Sequence, residues 1–224
     1  MTSHPSEVAE LADMIEQTTI AEPTSHKKPH LVFDVPASLE YPRLYISSNV
    51  KFAGCAILKP MPADFIYPSW WEDMKWGDRP LSDRNDLLVV VILGKRGTVL
   101  PNYVAVPSNT RVIDYLSYDV LLPYARVFVM NAGYSGFFHA VKNSVPLVLA
   151  GEAADKPELA IRGEWSRVAI NFRKGQPTPY MVKTGVERVL TEDRFKKRVD
   201  EIKAENEAMK LFNFIEEQIL SIGE

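Results

Sequence analysis

The stretch "NAGYSG" (131–136) lies between the apolar run "ARVFV" and the start of a helical pattern. A strand ending at Asn131 and a helix opening near Tyr134 leave a short loop with glycine at 133 and 136. Glycine permits positive φ and close backbone approach. The helix start supplies unsatisfied N–H groups and the positive end of the helix dipole. Ser135 adds a hydroxyl donor, and the Asn131 amide can donate to an oxyanion or cap the helix. These are the parts of a phosphate site. They are equally the parts of a glycine turn that lets a helix pack on a strand.

A second loop, "GEAADKP" (151–157), follows another apolar run and offers Glu152, Asp155 and Lys156. The acids accept and the lysine donates, a set suited to sugar hydroxyls. Asp155 can instead cap the helix opened by Pro157. His139 falls one to two turns into the helix after the first loop, within reach of a ribose hydroxyl or as a structural histidine. "LGKRGT" (93–98) places Lys95 and Arg96 between glycines, as a second anion contact or a solvated turn. His4, His26 and His30 have no partner at metal spacing, and no zinc, nucleophile-elbow or Walker signature is present.

The elements that must position these loops alternate from residue 87 onward. Strands are predicted at 87–93, 110–116, 126–130, 145–150 and 167–172. Helices are predicted at 119–125, from the first loop to about 143, at 156–165, at 178–190 and as one long final helix over 191–220. That alternation implies right-handed βαβ units and an α/β fold: a Rossmann-like parallel sheet with flanking helices. Such sheets bind ligands at the carboxyl ends of their strands, where both loops fall. Upstream, a helix is predicted at 6–18, then a Pro-interrupted linker, then short strands at 31–35 and 51–58. Residues 59–86 read as an irregular connection with one short turn at "SWWEDMKW". Its tryptophans either pin that connection to a domain or mark a binding surface. The division is therefore 1–86 as N-terminal helix, linker and connection, and 87–224 as the ligand-binding domain.

The 224 residues are 46% hydrophobic, enough for a sizeable core. A net charge of −3 without a basic block gives no electrostatic case for nucleic acid. The one cysteine, Cys55, excludes an internal disulfide framework and fits a reducing compartment; within "FAGCAIL" it reads as a small buried residue. The N-terminus carries acids and no apolar core, so it is no secretory signal, and no run approaches a membrane span. The expectation is a soluble cytoplasmic protein.

The series "VPSNTRVIDYLSYDVLLPYARVFVMNAGYSGFFHAVKNSVPLVLAGEAADKPELAIRGEWSRVAINFRKGQPTPYMVKTGVERVL" resembles the donor half of nucleotide-sugar glycosyltransferases. The type is the GT-B enzymes of the UDP-glucuronosyl/UDP-glucosyltransferase family, with macrolide- and sterol-glycosyltransferase-like members. The resemblance covers about 105–220 well and about 31–93 more loosely, through "SLEYPR" and "YPSWWEDM". It implies a diphosphate-binding role for Asn131, Gly133, Ser135 and Gly136, with Asn131 where the family usually has His. It implies donor-sugar contacts from the loop holding Glu152, Asp155 and Lys156, with Lys156 where Gln is common. The uracil of such enzymes stacks on an aromatic in the segment matching "DYLSYD", which points to Tyr115 with Tyr118 beside it, and His139 aligns with a ribose-binding acid. No metal or cofactor is implied beyond a UDP-sugar donor substrate. The family's acceptor site and general base belong to a first half that has almost no counterpart here, so no catalytic residue is named. The donor half also reads about one βα unit short, either the central unit of the sheet or one that "LLVVVIL" has replaced, as in a truncated gene product. The resemblance implies hexosyl transfer from a UDP-sugar to an acceptor hydroxyl, with this donor half inactive alone and able to work only where a partner chain supplies the acceptor half. The alternative is a non-catalytic nucleotide-sugar-binding or interaction remnant.

Overall fold

The computed structural model describes residues 31–33, 35–42, 45–55, 65–75 and 87–222. The helix expected at 6–18, the linker after it, His4, His26, His30 and Trp76 lie outside the described residues. Three parallel sheets are present among those described. Strand β1 (Leu31–Phe33) pairs with β2 (Val50–Phe52). Strand β3 (Val89–Ile92) pairs with β4 (Thr110–Ile113). Strands β5 (Phe128–Met130), β6 (Leu147–Leu149) and β7 (Ala169–Asn171) form the third sheet in that order.

Between residues 72 and 191 the helices fall where the sequence places them. A short α1 (Glu72–Lys75) occupies the expected turn, and α2 (Tyr118–Leu121) continues into a 3-10 turn, Leu122–Tyr124. Helix α3 (Tyr134–Lys142) follows β5, α4 (Lys156–Trp165) follows β6, and α5 (Pro179–Thr191) follows β7. The Thr178 hydroxyl caps α5 by accepting the Met181 N–H at 3.3 Å, with Pro179 at a position whose missing N–H costs nothing. Strand β6 is buried at all three residues because it is central and covered on both faces. Phe137, Phe138, Leu147, Leu149 and Val168 form the core there, joined by Val199 and Ile202 of α6 (Asp193–Ala208).

Two expectations need correction. The five strands from residue 87 do not form one sheet: β3–β4 and β5–β6–β7 are separate. Strand β5 has a neighbour only on the β6 side among the described residues, and Val129 at its centre is 42% exposed. Strand β5 is thus an edge of its sheet among the described residues. The long final helix is also two helices, α6 and α7 (Leu211–Ile222), broken at Lys210 with φ 46°. The cause is tertiary. Asn206 near the end of α6 accepts the Cys55 N–H through Oδ1 at 2.6 Å, and Asn206 and Met209 lie against Gly54. The helix ends on that contact, and Lys210 takes the left-handed conformation that usually falls to Gly or Asn. The apolar stripe is therefore buried at Phe195, Val199 and Ile202 but exposed at Phe212, Ile215 and Ile219.

Upstream, β2 stops at Phe52 and the chain runs on without a ladder to Cys55, which is half-buried rather than enclosed. The segment 35–41 docks on the third sheet's helices. Val35 and Leu39 enter its core, and the buried Glu40 carboxylate accepts from Arg162 of α4 at 2.5 Å. Of the two readings for the tryptophans, the structure favours the pin. Trp71 is buried with its ring edge-on to Tyr124 at 5.6 Å, and it packs in a cluster with Leu116, Val120 and Leu121.

Candidate functional site

The carboxyl ends of β5, β6 and β7 carry the loops 131–133, 150–155 and 172–178. Each holds one non-glycine residue in the left-handed region: Ala132 (φ 58°), Ala154 (φ 56°) and Arg173 (φ 54°). Such conformations cost on the order of 1–3 kcal/mol each and persist where the surroundings over-determine them. Both glycines of the first loop behave otherwise than the sequence suggests. Gly133 has φ −70° as the cap of α3, and Gly136 lies inside the helix. A Cβ on Gly136 would sit 2.7 Å from Cε of Met130, so that glycine serves helix–strand packing.

The Asn131 side chain accepts the Gly133 N–H at 3.3 Å and shapes the turn. The first helical amide bond is Phe137 N–H to Gly133 C=O, so the amides of Ser135 and Gly136 have no helical acceptor ahead of them. Ser135 and Asn131 are exposed at this end. No side chain caps α3, and the positive end of its dipole faces the loop.

The second loop lies directly on the first. Gly151 is buried, and a Cβ there would stand 2.5 Å from the Asn131 carbonyl oxygen and 2.8 Å from Lys156 Cβ. Sequence reasoning did not single out Gly151; its place as first residue after a buried strand was the available signal. Asp155 stands at the cap position of α4 yet makes no side-chain cap bond, and it is exposed. Glu152 reaches the third loop, where its Oε2 would be 2.9 Å from a Cβ on Gly175. Tyr134 and Asp155 also line one cavity of about 240 Å³, whose apolar walls are Val35, Leu39, Phe137, Phe138 and Leu159. Gly151 thus brings the Asn131 backbone and Lys156 together, Asp155 lines the cavity, and Glu152 turns to the third loop.

The nucleoside candidates divide. The His139 side chain is 7% exposed, and its Nδ1 lies 2.8 Å from Asp119 Oδ1. Its ring centre is 5.6 Å from that of Tyr118, which also packs on Phe128 at 5.2 Å. Burial, with the neighbouring Tyr115 second, pushes the Tyr118 phenol above its ordinary pKa. Tyr118 and His139 are therefore a packed pair. The Asp119 partner, twenty residues upstream of His139, has no local pattern to announce it. Tyr115, by contrast, is 44% exposed with the Arg96 guanidinium over its ring at 5.1 Å. Among the described residues no group of His, Cys, Asp and Glu is arranged to hold a metal ion, and no helix is long and apolar enough to cross a membrane.

No protein-family model matches the chain. It is 43% identical to UDP-glucosyltransferase 1 of Beauveria bassiana over 83% of this chain and 45% of that protein. It is 37% identical to UDP-glucosyltransferase A1 of Starmerella bombicola, over 84% and 45%. Among solved structures it is similar to the spinosyn forosaminyltransferase SpnP, with TM-score 0.65 and 15% identity over 86% of this chain and 55% of that one. It is similar to the spinosyn rhamnosyltransferase SpnG complexed with thymidine diphosphate, with TM-score 0.58 and 15% identity over 83% and 56%. The fold is that of GT-B glycosyltransferases. The chain spans about half the length of the relatives it matches.

Proposed function

We propose that this chain, a homologue of the UDP-glucosyltransferases over about four-fifths of its length, is a nucleotide-sugar donor-binding half of a hexosyltransferase. The observation that carries the reading is the contact at Gly151, which seats the acidic loop against the start of α3. The amides at the start of α3, with Ser135 Oγ and Asn131, bind the diphosphate. Asp155, Lys156 and Glu152 bind the sugar hydroxyls. Tyr115 stacks on the base, with Tyr118 and His139 behind it as a packed support. When the sugar leaves for an acceptor hydroxyl, negative charge grows on the departing diphosphate. The α3 terminus offsets that charge with donors already in place, the kind of preorganised stabilisation that lowers a barrier most.

No base that would deprotonate an acceptor is assigned within these residues. The 224 residues by themselves bind the donor without transferring its sugar, and transfer requires an acceptor half. A nucleotide-sugar-binding remnant with no transfer role is the second reading. Either form works in the cytoplasm, in keeping with a single half-buried thiol. Calorimetric titration with UDP tests the site: the expected result is saturable binding, weakened at least about tenfold by Ser135→Ala combined with Asn131→Ala, the loss of about one to two donors to a charged group. A folded chain that binds no UDP at millimolar ligand sinks the proposal. Turnover of UDP-glucose after adding an acceptor half separates the enzyme from the remnant.

A further inference from the structure

The turn Gly94–Lys95–Arg96–Gly97 between β3 and β4 projects from the body of the protein. Both glycines are left-handed, with φ 86° and 79°, and a Cβ on either would meet nothing within 4 Å. Its base is nonetheless fastened. The Leu93 N–H donates to Ile113 C=O at 2.9 Å and the Thr98 N–H to Lys95 C=O at 3.1 Å. Asp114, just past β4, accepts the Gly97 N–H through Oδ2 and the Tyr115 N–H through Oδ1, both at 2.7 Å. One carboxylate thus ties the turn and the aromatic residue to each other. Over that tie the Arg96 guanidinium lies 5.1 Å from the centre of the Tyr115 ring.

We propose that Arg96 is a specificity-determining residue of the nucleoside site, its guanidinium and the Tyr115 ring forming one platform for the base. The inference rests on the nucleotide-sugar reading above. Its content is chemical selection. A guanidinium only donates hydrogen bonds. It matches a base edge bearing carbonyl oxygens, as uracil and thymine do, better than adenine, which offers it only single ring nitrogens beside an exocyclic amine that also donates. Lys95 puts a second positive charge on the same turn, suited to the anionic ligand, while Asp114 is already engaged by two amides. Arg96 is exposed on an unpacked turn, so its replacement leaves the fold standing.

The test is calorimetric titration of the whole chain with UDP, dTDP and ADP, then of Arg96→Ala and Arg96→Lys, with circular dichroism to confirm folding. The unmodified chain is expected to bind UDP and dTDP about tenfold or more tighter than ADP, the worth of one hydrogen bond to a charged group. Arg96→Ala is expected to lose about five- to tenfold for UDP while ADP changes little, so the ratio between bases narrows. Arg96→Lys keeps the charge but not the planar fork and is expected to show the narrowed ratio too. If Arg96→Ala binds UDP as tightly as the parent, or tighter, or keeps the parent's ratio between bases, the inference is overturned and the nucleotide site stands. A parent that binds all three nucleotides equally overturns it as well. A folded parent that binds none of them overturns the underlying reading itself.

Discussion

Gly151→Ala tests whether the two loops form one site. The added methyl would lie 2.5 Å from the Asn131 carbonyl oxygen, 2.8 Å from Lys156 Cβ and 3.3 Å from the Asn131 carbonyl carbon. Two of these are backbone atoms, which cannot swing aside as a side-chain end can. Gly151 is buried, so the loops must part by several tenths of an ångström. Overpacking of this kind costs about 1–3 kcal/mol, and at roughly 2–4 °C per kcal/mol for a chain of this size the Tm falls by about 2–12 °C. A ligand bridging the loops needs them placed within about 0.5 Å, so UDP-glucose affinity should fall at least about tenfold. The control is Gly163→Ala. Its methyl would meet Leu149 Cδ1 and Phe137 Cε2 at 2.9 Å and Ala169 Cβ at 3.1 Å, comparable crowding made by side chains two turns into α4. Helix propensity returns up to about 1 kcal/mol there, so a moderate fall in Tm with unchanged affinity is expected. Differential scanning calorimetry and titration of both variants give the four numbers required. A Gly151→Ala protein that keeps the parent's Tm and affinity refutes the claim that this glycine is where the loops meet. Equal loss of affinity in both variants refutes the claim that its effect is local.

Arg162→Met removes the partner of Glu40, whose side chain is 3% exposed, from a 2.5 Å ion pair. Breaking a buried pair costs about 3–5 kcal/mol; the lower end applies because the Tyr41 N–H still donates to Glu40 at 3.2 Å. Urea unfolding should show that loss, and adding Glu40→Gln should recover part of it. Asp119→Ala strips the 2.8 Å partner from the buried His139, at a cost of about 1–3 kcal/mol; equal stability by urea unfolding would contradict the structural role given to that pair. Hydrogen bonds from the Gly97 amide, then the Tyr115 amide, hold the Asp114 carboxyl below its ordinary 3.8. A lowered folded-state pKa means the bonds' contribution is present above pH 3.8 and is lost as pH falls through the lower value. The Gly97 amide resonance should therefore titrate with a midpoint below 3.8, and a midpoint at or above it would show the tie absent.

Local signals in the sequence were enough to locate the layer that carries the loops. Pro157 and the Thr178–Pro179 pair mark helix starts whatever surrounds them, and an apolar run such as "VPLVLA" has no stable place except a covered strand. Pairing between strands is not local, so nothing in "LLVVVIL" says that its sheet stops before β5. The break at Lys210 depends on Asn206 meeting Cys55, 151 residues away. In the first loop, glycine marked the right segment for the wrong reason. The left-handed residue is Ala132, while Gly136 makes room for Met130. His139 was legible as a residue near the site but not as the partner of Asp119. The sheet break, the helix break and the His139 partner are contacts between separate segments, where composition and period carry no information.

The split sheet bears directly on how the candidate site would work. The diphosphate and sugar candidates stand on β5, β6 and their helices, while Tyr115 and Arg96 stand on β3–β4. No ladder hydrogen bonds join the two sheets among the described residues. What joins them is the α2 region: Leu121 and Val120 pack under Trp71, and Tyr118 packs on Phe128 and His139. A packed side-chain contact resists sliding less than a continuous parallel ladder does, because it has no register to lose. A nucleotide that stacks on Tyr115 and reaches the start of α3 spans that junction, and part of its binding free energy must go into fixing it. The consequence is a division of labour within one ligand. The proposed diphosphate contacts rest on β5 and the buried β6 beside it, whereas the proposed base contacts rest on a unit joined to them by side-chain packing alone.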